Sequence, residues 1–118
     1  MNFKSIDEAI EQIKKLAPIH AQAYNNADNK KANKLHDQLV EAMEYLMKGN
    51  SLFRLNELLD NPDLGIAQWA AIYLLKSETH LAEKKLEEIA TKEDSLMSLS
   101  AEYALIEWRE GKLDLWGK

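Results

Sequence analysis

Apolar residues recur along this chain at the three- and four-residue spacing of helix faces, and the densest apolar run is Gly65–Leu75. In that run the small residues Ala70 and Ala71 sit beside the large Trp69, an arrangement that lets a neighbouring helix approach closely. Asp63 stands just ahead, where an acid favours the helix dipole. We therefore expect the central helix of the fold over this run.

Two long helices and a short one are predicted ahead of the central helix. Ser5 opens a capping box and should begin the first, which Pro18 is expected to end or kink. The second should run from about residue 29 to residue 48 and stop with Gly49 in the C′ position. Ser51 is the expected cap of the short third helix. Its apolar positions are Leu52, Leu55, Leu58 and Leu59.

Two more helices are predicted after the central one, the last capped by Ser95 and closed at Gly111. A shift that places Leu55 on Leu86 also superposes the apolar positions of two consecutive helices. The further matched pairs are Leu58 with Ile89, Ile66 with Met97, Ala70 with Ala101, and Leu74 with Leu105. Such self-similarity is typical of helical solenoids, although two unrelated amphipathic helix pairs of similar length would also align.

The predicted fold is therefore all-α, a short right-handed superhelix of the HEAT or armadillo kind with about six helices and no strand. With 118 residues, the chain should form one domain over its whole length. It has no cysteine, its N-terminus lacks the apolar core of a signal peptide, and no apolar run approaches the length of a membrane span. We expect a cytoplasmic protein without a disulfide framework.

The net charge is −5, and the whole imbalance lies from Asp60 onward. A negative face repels nucleic acid and attracts basic proteins. The alternative is that a modest charge only keeps a small domain soluble. Because of this negative charge, nucleic acid is the least expected partner.

No catalytic signature is present in the sequence, which lacks a glycine-rich phosphate loop and a nucleophile elbow. The histidines His20, His36 and His80 lie far apart, and none has a second histidine four residues on. We expect separate single histidines, no metal site, no cofactor and no enzyme. An enzymatic function would need a pocket that gathers these histidines with carboxylates.

The same shift that matches the core positions also matches apolar residues on the other side of these helices. It pairs Ile72 with Tyr103 and Leu75 with Ile106. In a solenoid these four residues could line one concave or exposed surface, which would suggest a partner site. The alternative is that the second helix or the C-terminal tail covers them.

Residues 30–113 resemble a family of small bacterial domains of unknown function with an armadillo- or HEAT-like superhelix. The sharpest shared motif is Trp108-Arg109-Glu110-Gly111-Lys112-Leu113. The other shared segments are Ala32-Asn33, Asn61-Pro62-Asp63, Trp69-Ala70-Ala71 with Leu74-Leu75, and Leu99-Ser100-Ala101-Glu102 with Leu105 and Glu107. The resemblance carries no catalytic residue.

That resemblance implies a likeness to immunity proteins of bacterial toxin systems, including contact-dependent inhibition, which bind a toxin and mask its active site. A nuclease toxin needs a basic surface for its substrate, and an acidic protein could mimic that substrate's charge. We expect a basic toxin domain as partner. The alternative is a non-catalytic structural or regulatory adaptor. The predicted partner-binding residues are Asp60, Asp63, Glu102, Tyr103 and Glu107.

Overall fold

The computed structural model describes residues 3–92 and 95–114, and over these ranges it contains helices and no strand. Five α-helices and one 3₁₀ helix follow one another within these two ranges. They are α1 (Ile6–Asn25), α2 (Asn29–Lys48), the 3₁₀ helix (Leu52–Leu58), α3 (Leu64–Leu74), α4 (Thr79–Lys92) and α5 (Leu96–Arg109). The all-α class is confirmed.

Two helix starts lie where the capping residues Ser5 and Ser95 predict them, and α3 starts directly after Asp63, the acid expected ahead of the central helix. Ser5 accepts a hydrogen bond from the backbone N–H of Glu8 at 3.1 Å, and Ser95 accepts one from Ser98 at 3.1 Å. The carboxylate of Asp63 caps α3 by accepting the backbone N–H of Ile66 at 3.0 Å. Each cap satisfies a donor that the first helical turn leaves without a partner.

The C-terminus of α2 differs in one detail from the prediction for Gly49. Gly49 has a φ of −88°, whereas Asn50 adopts the left-handed conformation with a φ of 55°. The backbone N–H of Ser51 donates to Leu46 and that of Asn50 donates to Met47, the bond pattern of a Schellman motif. Asparagine therefore holds the C′ position, which it tolerates better than most residues. Gly111 does hold it at the end of α5, as predicted.

Pro18 is expected from the sequence to end or kink the first helix, but it lies inside α1, so the first of these two outcomes is wrong. Proline removes the bond to the carbonyl four residues earlier, which belongs to the exposed Lys14. On the solvent side, water can replace the missing donor. Ala17 and His20 on either side of Pro18 are buried against the rest of the protein, and this packing keeps the helix continuous.

The short third helix is a 3₁₀ helix, and Ser51 does not cap it through its side chain. Instead, the Ser51 hydroxyl donates to the carbonyl of Gly49 at 3.0 Å. A 3₁₀ helix has three residues per turn, so side chains spaced by three share one face. Leu52, Leu55 and Leu58 have this spacing; Leu55 and Leu58 are buried, and Leu52 packs against the core.

Helix α3 is the centre of the protein, as its apolar run predicts. It contacts α1, the 3₁₀ helix, α4 and α5, and every one of its residues except Leu64 and Ile72 is buried. Ala70 and Ala71 are completely inaccessible to solvent, which agrees with close approach of neighbouring helices at small residues. This central position lets α3 carry side chains into sites built by several helices.

The repeat predicts core positions better than it predicts geometry. Ala70 and Ala101 are both buried, as are Leu74 and Leu105, but the 3₁₀ helix corresponds to the much longer α4. Helix α1 contacts both α3 and α5, so the first and last helices meet, and the protein measures 37 × 31 × 30 Å. The right-handed superhelical winding stays a prediction.

Candidate functional site

Helix α5 carries a second apolar stripe in addition to the one that faces the core. Its inner stripe includes Met97, Ala101 and Leu105, all buried. The outer stripe consists of four large side chains that are each at least 43% exposed. They are Leu96, Leu99, Tyr103 and Ile106. At about 100° per residue the two stripes lie on opposite sides of the helix, so the outer one has no role in the core.

Acidic residues border this outer stripe on both sides. Helix geometry places Glu102 at one edge and Glu107 at the other, and both side chains are exposed. The nearby Arg109 is held at 2.6 Å by Glu87 and lies 3.9 Å from Glu83, so its charge is matched locally. We call the outer stripe together with Glu102 and Glu107 the outer face of α5. Three of the predicted partner-binding residues belong to it: Glu102, Tyr103 and Glu107.

The other two predicted partner-binding residues lie in the segment between the 3₁₀ helix and α3. Asp63 is half-buried, and its carboxylate caps α3, which is a structural role. Asp60 has a fully solvated side chain that forms an ion pair with Lys85 at 3.6 Å. Asp60 lines a groove with Lys84 and Lys85, whereas Glu102 lines a different groove. The structure does not bring the five predicted residues together at either groove.

The surface inferred from the repeat is only half formed. Tyr103 and Ile106 are exposed, as expected, but Leu75 is completely buried and Ile72 packs against the core. The prediction that these four residues share one exposed surface is therefore wrong. The cause is the central position of α3: neighbouring helices cover the side of α3 that carries Ile72 and Leu75, whereas the corresponding side of α5 is exposed to solvent.

A cavity of about 310 Å³ lies where α1, α2, α3 and α5 meet, and five of its eleven described lining residues carry aromatic rings. We call it the aromatic cavity. Its lining is His20, Tyr24, His36, Gln68, Trp69, Ile72, Tyr73, Met97, Ser100, Leu113 and Asp114. The Trp69 and Tyr73 rings are stacked with centroids 5.9 Å apart, and His20 meets the Trp69 ring edge-on at 5.4 Å. Burial, followed by the charge of Glu44, raises the pKa of the Tyr73 hydroxyl.

His20 and His36 come together at this cavity, so the expectation of separate histidines is wrong for this pair. Their ring centroids are 6.3 Å apart. His20 is only 6% exposed, and its burial, with a smaller contribution from the charge of His36, lowers its pKa to about 4. The indole N–H of Trp69 donates to Nδ1 of His20 at 3.4 Å. His20 is thus neutral at pH 7, with its hydrogen on Nε2.

Gln68 adds an unusual polar group to the same cavity. Its side chain is 2% exposed, and its amide oxygen, Oε1, has no hydrogen-bond partner within residues 3–92 and 95–114. A buried acceptor without a donor is costly, so such groups are rare in folded proteins. Gln68 lines the aromatic cavity, but its Oε1 is shielded from solvent, so the unmatched acceptor lies within the protein and is not exposed on the cavity surface.

Among the described residues, no group of three or more His, Asp or Glu side chains is arranged to hold a metal ion. His20 accepts from Trp69 through Nδ1 and carries a hydrogen on Nε2, so neither nitrogen is set up to take a proton at pH 7. His80, the third histidine, is exposed on α4 and does not line the cavity.

Sequence reasoning missed the histidine pair, although a signal for it exists. Asp28 lies in the turn between α1 and α2, and His20 and His36 stand eight residues before and after it. In a helical hairpin, residues at equal distance from the turn lie side by side. The pairing therefore follows from the hairpin once its turn is located, but not from spacing along a single helix.

No protein-family model, curated protein or solved structure matches this chain. The resemblance to small bacterial helical domains therefore stays a prediction. No helix within the described ranges combines the length and the apolar character required to cross a membrane.

Proposed function

We propose that this protein is a protein-binding module that captures a basic partner on the outer face of α5. The observation that carries the proposal is the apolar stripe of this helix. Leu96, Leu99, Tyr103 and Ile106 each expose 43–56% of their surface and lie on one side of the helix. Contiguous exposed apolar residues with a polar border are typical of interaction sites.

The charges around the stripe specify the kind of partner. Glu102 and Glu107 border it, and Arg109 on the same helix is engaged by Glu87. The local field is negative, which would speed the encounter with a positively charged protein and disfavour nucleic acid. An interface with an apolar centre and charged edges also has the layout of specific protein complexes.

A groove at the N-terminal end of the outer face offers room for an anchoring side chain. It has a volume of about 400 Å³. Its lining is Asn25, Ala90, Ser95, Leu96, Ser98, Leu99 and Glu102. An apolar residue of the partner that enters this groove would gain contacts with both leucines. A few side chains that fill pockets in this way supply most of the affinity in protein interfaces.

The most specific form of this proposal is a cytoplasmic immunity protein that masks the active site of a toxin, such as a nuclease. It is supported by the resemblance of residues 30–113 to small bacterial helical domains and by the net charge of −5. In this form the protein is not an enzyme, needs no cofactor and acts without nucleic acid or a membrane. The alternative is a non-catalytic adaptor whose partner is not a toxin.

The test uses the protein encoded by the neighbouring open reading frame, purified and titrated calorimetrically. We expect a complex that Glu102→Lys with Glu107→Lys weakens at least tenfold and that Tyr103→Ala also weakens. Glu11→Lys is the matched control, because it reverses a charge that is 71% exposed at the far end of α1. Equal affinity of the double variant and the wild type would refute the site.

A growth assay separates the two forms of the proposal. Cells that produce the partner alone should stop growing if it is a toxin, and co-production of the wild-type protein should restore growth. The double variant should restore it poorly, and the Glu11→Lys variant should restore it fully. Unimpaired growth with the partner alone, combined with tight binding, would favour the adaptor.

A further inference from the structure

The four apolar residues on the outer face of α5 have the spacing of a seam between two helices. Leu99 follows Leu96 by three residues, Tyr103 follows Leu99 by four, and Ile106 follows Tyr103 by three. This is the a and d pattern of two successive heptads, the positions at which one helix packs its side chains between those of another. Because all four side chains are exposed, the seam has no partner within the described residues.

The residues beside the seam make it narrow and set its charge. With Leu96 at an a position, the e and g positions of the two heptads are all polar: Ser100, Glu102, Glu107 and Arg109. A helix face that packs into a protein core is usually wider, with an apolar residue at e or g as well. Arg109 lies 2.6 Å from Glu87, so its charge is already matched on this protein. Two glutamates, one on each flank, remain to face a partner.

The length of α5 limits the seam to two heptads. The helix has 14 residues, and Glu110, its C-cap, occupies the next a position. At 1.5 Å per residue the seam is about 21 Å long, so a partner helix of about four turns covers it. A straight helix drifts by about 20° per heptad from the seven-residue repeat, so α5 need not bend to keep this contact on one face. The cost of ordering a helix therefore falls on the partner alone.

The same charges argue against a second copy of this chain as the partner. In a parallel pair of helices, a g residue faces the e residue five positions later on the other helix. Two copies would therefore place Glu102 against Glu107 at both edges of the seam. In an antiparallel pair centred on the seam, Glu102 would face Glu102 of the second copy. Like charges in these positions disfavour pairing, whereas lysine or arginine opposite the glutamates favours it.

On the basis of the proposed function, we infer that the outer face of α5 binds an amphipathic helix of the basic partner, with apolar residues at heptad spacing and lysine or arginine on both flanks. The apolar side chains of that helix pack between Leu99, Tyr103 and Ile106. Its basic side chains lie against Glu102 and Glu107. Docking of an amphipathic helix through such regularly spaced anchors is a common mode of peptide recognition.

The test is a calorimetric titration of the complete chain with three peptides of about 21 residues, since shorter helices are marginal in water. The first has leucine or isoleucine at a and d and lysine at e and g, the second has glutamate in place of those lysines, and the third has the composition of the first without heptad order. We expect the first to bind at least about tenfold more tightly than the other two and to gain helical circular dichroism. Equal binding of the first and third peptides, or no binding of the first at about 1 mM, would overturn the inference.

Two variants test the charges and the seam separately. Glu102→Lys with Glu107→Lys should reverse the preference, so that the glutamate peptide binds more tightly than the lysine peptide; an unchanged preference would overturn the inference. Leu99→Asn places an amide in the seam without changing the charge and should weaken binding of the lysine peptide at least about tenfold. Leu81→Asn is the matched control, because Leu81 on α4 is exposed to a similar extent, 51% against 43% for Leu99. Equal affinities of these two leucine variants would also overturn the inference.

Sedimentation equilibrium identifies a second copy as the occupant, if that is the case. We expect the wild-type protein to stay monomeric at the concentrations of the titration, and a dimer that Leu99→Asn abolishes would overturn the inference. The proposed function is decided independently, by titration of the neighbouring protein. If that protein binds and the glutamate reversals weaken its complex, but the first and third peptides bind equally, the helical partner is excluded and the proposed function stands. If the peptides are discriminated as expected but the neighbouring protein does not bind, that protein is excluded as the partner and the preference for a basic helix stands.

Discussion

Acidification should destabilise this protein through one buried histidine. His20 has a pKa of about 4 in the folded protein, against 6.5 for an unperturbed histidine, because the ring is buried and lies near His36. As the pH falls below 6.5, the unfolded chain takes up a proton that the folded protein does not. Stability is therefore complete above pH 6.5 and decreases as the pH falls toward 4.

The size of the effect follows from these two pKa values. Between pH 7 and pH 5 the difference in proton uptake lowers the free energy of unfolding by at most about 2 kcal/mol. For a domain of this length, that loss corresponds to a decrease of about 1 M in the urea midpoint. The cavity wall has four other titratable residues, namely Tyr24, His36, Tyr73 and Asp114. They are the same in the wild type and in a variant that lacks only His20, so their contribution cancels when the two proteins are compared.

Urea unfolding followed by circular dichroism at pH 7 and pH 5 provides the assay. His20→Asn removes the titration and keeps an acceptor near the position of Nδ1 for the Trp69 N–H. We expect the free energy of unfolding of this variant to decrease by less than about 0.5 kcal/mol between pH 7 and pH 5. His80→Asn is the matched control, since it changes an exposed histidine, and it should keep the wild-type loss. Equal midpoint shifts in the wild type and in His20→Asn would refute the reasoning.

Three further predictions concern local backbone and capping interactions. Asp63→Ala should lower the free energy of unfolding by about 1 kcal/mol in chemical denaturation, because it removes the cap of α3. The control Asp60→Ala changes a side chain that is 98% exposed, so it should change the free energy of unfolding by less than about 0.5 kcal/mol. Ala27→Gly should raise the melting temperature, because Ala27 has a φ of 58°, a conformation that costs about 1 kcal/mol for residues other than glycine. An unchanged or lower melting temperature would contradict this. Gly65→Ala should cost about 1–3 kcal/mol in the same denaturation assay, because the new Cβ would lie 3.0 Å from the Ala17 carbonyl oxygen at the contact between α1 and α3; wild-type stability would contradict this.

The sequence predicts helices well where a capping residue meets an apolar stripe. Ser5, Asp63 and Ser95 mark three helix starts correctly because a cap acts on neighbouring residues only. Pro18 misleads because its local cost is small beside the packing of a long helix against its neighbours. Tertiary contacts, which local patterns do not contain, decide that case.

The two candidate sites differ in how far they can be predicted from the sequence. The outer face of α5 follows from helix periodicity, since Glu102, Tyr103 and Glu107 occupy predictable sides of one helix. The aromatic cavity requires His20 and Gln68 to meet across different helices, and only the packing of α1 on α3 establishes that. The buried amide of Gln68 has no sequence signal, because its helix reads as uniformly apolar around it.

Oxidative footprinting of the complex tests the central claim most directly. Hydroxyl radicals label exposed side chains, and Tyr103 on α5 and Phe53 on the 3₁₀ helix are 56% and 65% exposed in the free protein. If a basic partner binds the outer face of α5, labelling of Tyr103, Leu99 and Ile106 should fall several-fold while Phe53 stays unchanged. Protection of Phe53 with full labelling of Tyr103 would contradict the account.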